Sequence, residues 1–161
     1  MADMLVKLYQ LPAAEEAEAA LNRQGIRIKR ALAPDLRRII AFTKTCGQES
    51  FADEVSVAFA QQPPGCFIAT RDKEIIGFAC LEVTARGFFG PMAVLPEERG
   101  KGVGKVLLLR ALAAMREMGY VYAAIGWPAA SAIPFYEKCA GAVMIEDDTH
   151  GVYGRMIAVD D

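Results

Sequence analysis

Apolar positions along the chain fall into alternating helical and extended periods, and the switches between them predict its elements. Pro12 suits the first position of a helix, and Ala13, Ala14, Ala17, Ala20 and Leu21 form a stripe that Gly25 ends. A short N-terminal helix is expected there. Ile26 to Leu32 alternates Ile26 and Ile28 with Arg27 and Lys29, the pattern of a half-buried strand. Pro34 then opens a helix holding Leu36, Ile39 and Ile40, and a second helix runs from about Glu49 to Phe59, stopped by Gln61-Gln62-Pro63-Pro64-Gly65. Three strand-like runs follow, Cys66 to Thr70, Ile75 to Thr84 and Phe88 to Leu95, with links short enough for an antiparallel meander. From Gly102 to Met118, Val103, Val106, Leu107, Ala111, Leu112 and Met115 recur at helical spacing, and Gly119 ends the run.

A strand over Tyr120 to Ile125, a short helix ending before Gly141, and strands over Val143 to Ile145 and Val152 to Val159 complete the pattern. Ser131 is placed to cap the short helix, with Pro134 in its first turn. A meander followed by one helical crossover predicts an α/β (α+β) fold whose mixed central sheet is antiparallel first and parallel across the helix. Residues 1–25 read as an N-terminal helical extension, and residues 26–161 as one domain.

Length and composition narrow the class. The chain has 161 residues, of which 53% are hydrophobic and 24% charged, which suits one globular domain. Eighteen Lys and Arg against twenty Asp and Glu leave a net charge of −2, so nucleic acid and anionic membrane are not expected partners. Met118 to Tyr136 carries no charge, but Gly119, Gly126, Pro128 and Pro134 interrupt it, and a membrane span is not expected. Cys46, Cys66, Cys80 and Cys139 are scattered and His150 is the one histidine, so no metal site is expected. Scattered cysteines read as buried free thiols, with the disulfide alternative left open by counting, and together with the lack of an export signal they point to the cytoplasm.

The segment richest in chemistry is Glu98-Arg99-Gly100-Lys101-Gly102-Val103-Gly104-Lys105, between a strand and the longest predicted helix. The first N–H groups of a helix lack internal partners, and a glycine-rich entry lets a diphosphate approach them, helped by Arg99, Lys101 and Lys105. Dinucleotide and NTPase loops both fail on spacing: Leu107 stands where the third glycine belongs, and only three residues separate Gly100 from Gly104. A flexible turn is the bland reading.

The spacing that does fit is Arg99-x-x-Gly102-x-Gly104, preceded by Val94-Leu95-Pro96-Glu97 and followed later by Phe135-Tyr136-Glu137-Lys138 and Gly141-Ala142. These segments, in this order, resemble the GCN5-related N-acetyltransferase (GNAT) family from Ile26 onward. The resemblance implies a mostly antiparallel sheet flanked by helices, with two splayed parallel strands forming an acyl-CoA cleft. It implies acetyl-CoA as co-substrate, with Met92, Ala93 and Val94 along the pantetheine arm and Arg99, Gly100, Lys101, Gly102, Val103, Gly104 and Lys105 at the pyrophosphate. The acceptor would be a small-molecule or peptide amine; a homodimer stays open.

Amide formation from a thioester needs a base for the ammonium and a proton donor for the departing thiolate. Tyr136 resembles the family's general acid, although an aromatic packed on an amphipathic helix reads the same way. Two positions depart from the family: Ala129 replaces an asparagine that bonds the CoA arm, and Phe88 replaces a glutamate that serves some members as base. Glu82, on the neighbouring strand, is the nearest candidate base, with a solvated residue as its bland alternative. Glu146, Asp147 and Asp148, on the loop that the family places beside the acceptor, would favour a cationic amine. His150 reads first as an exposed turn residue. No cysteine sits in the loop, so direct attack in a ternary complex is expected rather than a covalent acyl-enzyme. The alternative is a non-catalytic acyl-CoA-binding or sensing module of the same fold.

Overall fold

The computed structural model describes residues 2–146 and 149–159. Its elements are β1 (Met4–Lys7), α1 (Glu15–Arg23), β2 (Ile26–Arg30), α2 (Leu36–Thr45), α3 (Ala52–Ala58), β3 (Cys66–Arg71), β4 (Glu74–Leu81), β5 (Phe88–Val94), α4 (Val103–Glu117), β6 (Tyr122–Ile125), α5 (Ile133–Ala140) and β7 (Val143–Met144). The seven strands form one sheet in the order β2-β3-β4-β5-β6-β1-β7. Neighbours are antiparallel except β5 and β6, which are parallel and joined through α4.

The meander forms as the pattern implies. Asp72 and Lys73, at φ 51° and 65°, make the two-residue turn whose twist matches a hairpin. β3 and β4 are buried on both faces, which is why they read as continuous apolar runs rather than alternating ones. Phe67 and Ala69 join a core with α1, α4 and α5, while Cys66, Ile68, Phe78 and Cys80 join a second core with Ile39, Phe42, Val55 and Ala58 of α2 and α3. The sheet therefore lies between two helical layers.

The chain termini differ from expectation. A strand, β1, precedes the expected N-terminal helix and lies inside the sheet, pairing with β6 from Met4↔Ile125 to Lys7↔Tyr122 and with β7 at Met4↔Met144. Residues 1–25 are thus a strand and a helix, with Met4, Val6 and Leu8 fully buried, and not a helical extension alone. A four-residue strand is shorter than the window in which alternation is recognised. The strand expected over Val152 to Val159 is not formed: Gly151–Arg155 is a 3₁₀ turn, and Ile157 is fully exposed. β7 already pairs with β1, so the position beside it within the sheet is filled from the N-terminal end. Ser131 does not cap α5; a 3₁₀ turn over Ala130–Ala132 leads into it, with Pro134 in the first turn as expected. No helix among the described residues is long and apolar enough to cross a membrane.

Candidate active site

The site begins where the sheet opens. β5 and β6 pair only at Phe88↔Ala124 and Phe89↔Ile125. β6 ends at Ile125, and Gly90, at φ 111°, gives β5 a backbone bend that a side chain would resist. Beyond it Met92, Ala93 and Val94 pair with β4 alone, at Ala79, Phe78 and Gly77, so their other edge faces the gap.

A cavity of about 610 Å³ occupies that gap. Met92, Ala93 and Val94 form one wall, and Arg99, Gly100, Gly102, Gly104 and Lys105 form one end. Ala132, Phe135, Tyr136, Lys138 and Cys139, on and before α5, form the other wall. Gly102 precedes α4 at φ 94°, a left-handed conformation that glycine adopts without strain. It aims the unpaired N–H groups of the first turn of a 15-residue helix toward this end. A methyl on Gly104 would touch Phe135 Cζ at 3.4 Å and Met92 Cε at 3.5 Å, so a larger side chain would have to enter the cavity.

The loop's charges divide into two sets. Glu98 is buried, and its carboxylate accepts from Arg71 Nη1 at 2.5 Å and Lys101 Nζ at 2.9 Å. Lys101 is thereby bonded away from the cavity lining, and Val103 contributes its side chain to the core. Arg99 and Lys105 do line the cavity, and Arg99 Nε donates to the Val94 carbonyl at 3.3 Å. Burial pushes the Cys139 thiol up, while Lys105 and Lys138, both on the cavity lining, pull the other way. Lys138 and Phe135 stand in the F-Y-E-K segment, yet only the tyrosine was taken from it; helical spacing could have added Phe135 and Cys139, which share a face with Ala132 and Tyr136, but gives no signal for Lys138.

Tyr136 is buried, edge-on to Phe89 at 6.2 Å and to Phe135 at 5.2 Å between ring centres. Burial pushes its hydroxyl up to about 12, so it stays protonated at neutral pH, as an unburied phenol also would, and is a weaker acid than one. Gly141, at φ 62°, ends α5, and the N–H groups of Gly141 and Ala142 bond the carbonyls of Glu137 and Tyr136.

The other sequence candidates lie elsewhere. Glu82 does not line the cavity: its carboxylate accepts from the Gly87 N–H at 2.6 Å and the Tyr120 hydroxyl at 2.8 Å, closing the turn between β4 and β5. Glu146 and His150 are exposed, whereas Asp147 and Asp148 lie outside the described residues. Ala129 is exposed before α5, and Phe88 packs edge-on to Tyr153 at 6.4 Å. No group of three or more metal-ligating side chains occurs among the described residues.

A mixed sheet opened between two parallel strands, with a glycine-rich helix entry at one end of the gap, is the architecture that the comparisons match. The acetyltransferase (GNAT) family model matches residues 27–142, and the chain belongs to that family. No curated protein matches it significantly. Solved structures with the same fold include a GCN5-related glucosamine N-acetyltransferase region of a fungal multi-domain GH3 beta-N-acetylglucosaminidase, at 14% identity and TM-score 0.72 over 89% of this chain and 19% of that one. A GCN5-related N-acetyltransferase from Sphaerobacter thermophilus matches at 18% identity and TM-score 0.67 over 89% of this chain and 48% of that one. A GNAT family acetyltransferase from Brucella melitensis in complex with acetyl-CoA matches at 19% identity and TM-score 0.52 over 77% of this chain and 90% of that one. The chain thus spans less than half the length of the first two.

Proposed function

We propose that the protein transfers an acetyl group from acetyl-CoA to a primary amine by direct attack within a ternary complex. The observation that carries this reading is the cavity between β5 and α5, with unpaired helix N–H groups at one end and a protonated tyrosine on its wall. In this reading the first-turn N–H groups of α4, with Arg99, Lys105 and Lys138, hold the pyrophosphate. The free edge of Met92 to Val94 bonds the pantetheine amides as an added strand would. Lys101 acts through Glu98, fixing the loop, and Glu82 braces the turn that leads into β5. Bound acetyl-CoA supplies the activated acyl group, and Tyr136 donates the proton that the leaving sulfur takes up.

The test is release of free CoA thiol with a panel of amines: 1,4-diaminobutane, glucosamine and an alanine-first peptide. Glucosamine belongs in it because of the fungal neighbour's described activity. Turnover with at least one amine is expected. Tyr136→Phe should lower kcat by roughly ten- to a thousandfold with acetyl-CoA affinity within a few fold, since general acid catalysis contributes about 10²–10⁴. Tight acetyl-CoA binding without turnover of any amine would favour the sensing module instead, a reading motivated by Phe88 and Ala129.

A further inference from the structure

The cavity is bounded by α4 and α5, but the opening between β5 and β6 is also approached from the layer that holds α3. There the C-terminal 3₁₀ turn Gly151–Arg155, released from the sheet by β1, brings in Tyr153. Its ring stacks on Trp127 at 4.4 Å and 30°, and meets Phe88 edge-on at 6.4 Å. Its hydroxyl lies over Gly126, the residue that follows β6: a methyl group on that glycine would fall 1.8 Å from the phenolic oxygen. Tyr153 therefore reaches the point where the two strands part, and Gly126 leaves the room for it.

Glu54, Thr84 and Asp3, from distant parts of the chain, lie near enough to influence that side chain electrostatically. Glu54 of α3 accepts from the Thr84 hydroxyl at 2.6 Å, and Asp3 accepts from the Trp127 N–H at 3.1 Å. Burial and the Asp3 and Glu54 carboxylates push the Tyr153 hydroxyl up to about 12, with the Thr84 hydroxyl acting in the opposite direction. Among the described residues, no Lys or Arg forms an ion pair with Glu54 or Asp3. Carboxylates in half-buried aromatic surroundings favour a cation, and the rings themselves attract an ammonium.

We propose that Tyr153 and Glu54 form the acceptor subsite, receiving the ammonium of a cationic primary amine beside Trp127 at the opening between β5 and β6. This deepens the acetyltransferase reading and rests on it. Glu54 takes one proton from the ammonium, and the freed lone pair forms the new N–C bond at the thioester carbonyl. The C–S bond then breaks, the sulfur takes the Tyr136 proton, and the nitrogen loses its second proton to restore Tyr136. The products are an acetamide and CoA thiol, and Glu54 passes one proton to water. The Tyr153 hydroxyl positions the nitrogen by accepting a hydrogen bond from it.

Trp127 is the one tryptophan in the chain, so its fluorescence reports on this subsite without turnover. The protein with CoA bound is titrated with 1,4-diaminobutane, glucosamine and the alanine-first peptide, each against its uncharged counterpart: butane-1,4-diol, glucose and the N-acetylated peptide. At least one amine should give a saturable change that its counterpart does not. Tyr153→Phe, which keeps the ring, and Glu54→Gln should each weaken that binding roughly tenfold, and raise the amine KM alike, as expected for loss of a charge-assisted hydrogen bond. Acetyl-CoA affinity by calorimetry should stay within about twofold, and an unchanged melting temperature establishes that the variants are folded. The subsite is overturned if no amine perturbs Trp127, or if both variants bind as the wild type does. Amine binding without turnover would count against acetyl transfer alone. Turnover that saturates without a Trp127 response would count against the subsite alone.

Discussion

The two ends of the opening between β5 and β6 are built in different ways. The end proposed for the cofactor is made by backbone: a free strand edge, three glycines and a helix start, all within residues 92–105, completed by one face of α5. The opposite end is made by side chains drawn from positions 3, 54, 84, 88, 127 and 153, which only the fold brings together. A ligand common to a family can be held by backbone in a fixed local geometry, whereas an acceptor is selected by side chains that the same scaffold can exchange.

The largest effect should come from breaking the backbone end. Gly104→Asp places a carboxylate in the cavity, because the added Cβ already meets Phe135 and Met92 at 3.4 and 3.5 Å and the rest of the side chain has the cavity to enter, where the proposed function puts the pyrophosphate. Acetyl-CoA affinity should fall by at least about a hundredfold, on the scale of a buried like-charge contact, while the response of Trp127 to amines persists in weakened form. Calorimetry with acetyl-CoA checks the first expectation. Affinity within tenfold of wild type would mean that the pyrophosphate does not lie on this helix start.

That contrast also explains what was legible. The meander, the crossover helix and the glycine loop announce themselves because each is local: alternation, helical spacing and turn residues lie within a few positions of one another. Arg99 falls within the loop whose glycine spacing stands out, whereas Tyr136 was singled out only through the resemblance of its F-Y-E-K segment to the family. β1 was missed because Met4 to Lys7 shows only two inward positions, and its burial depends on β6 and β7, more than a hundred residues away. The apolar run Val152 to Val159 was read as a strand on propensity alone, and competition for a place in the sheet overrode it. Glu82 shows the converse limit: its residue type suits a base, but φ 64° and two hydrogen bonds commit it to a turn. Lys101 likewise looks identical to Lys105 in sequence, and only the fold puts Glu98 between it and the cavity.

A smaller effect should follow from loosening the backbone end without entering it. Glu98→Gln keeps the shape but leaves Arg71 and Lys101 without their shared counter-charge. Arg71 and Lys101 keep side-chain exposures of 28% and 37%, so the loss is discounted from that of a fully buried pair, to about 1–3 kcal/mol. The melting temperature should drop accordingly, and acetyl-CoA affinity should weaken by about threefold as the loop loses its tether. Thermal melts with and without saturating acetyl-CoA separate the two contributions. A variant as stable as the wild type would show that the loop is fixed by its glycines and by α4 alone.

The smallest effect at neutral pH, and the one that separates the two ends most directly, concerns their tyrosines. The hydroxyls of Tyr136 and Tyr153 are both pushed up to about 12, against an ordinary value of 10.0. Between those pH values the unfolded chain has lost protons that the folded chain still holds. Stability from this source is therefore fully present below about pH 10 and is lost as pH rises toward about 12. Tyr136→Phe and Tyr153→Phe should each make the alkaline fall in stability shallower without changing its form at pH 7. The causes differ, however: burial alone raises Tyr136, whereas Asp3 and Glu54 add to burial at Tyr153. Glu54→Gln should accordingly lower the Tyr153 titration only in part, since burial and Asp3 still hold it up, while leaving that of Tyr136 in place, as read from tyrosinate absorbance in the single Tyr→Phe backgrounds. If Glu54→Gln moved neither titration, the carboxylate would not face the Tyr153 hydroxyl, and the side-chain end of the opening would reduce to aromatic packing.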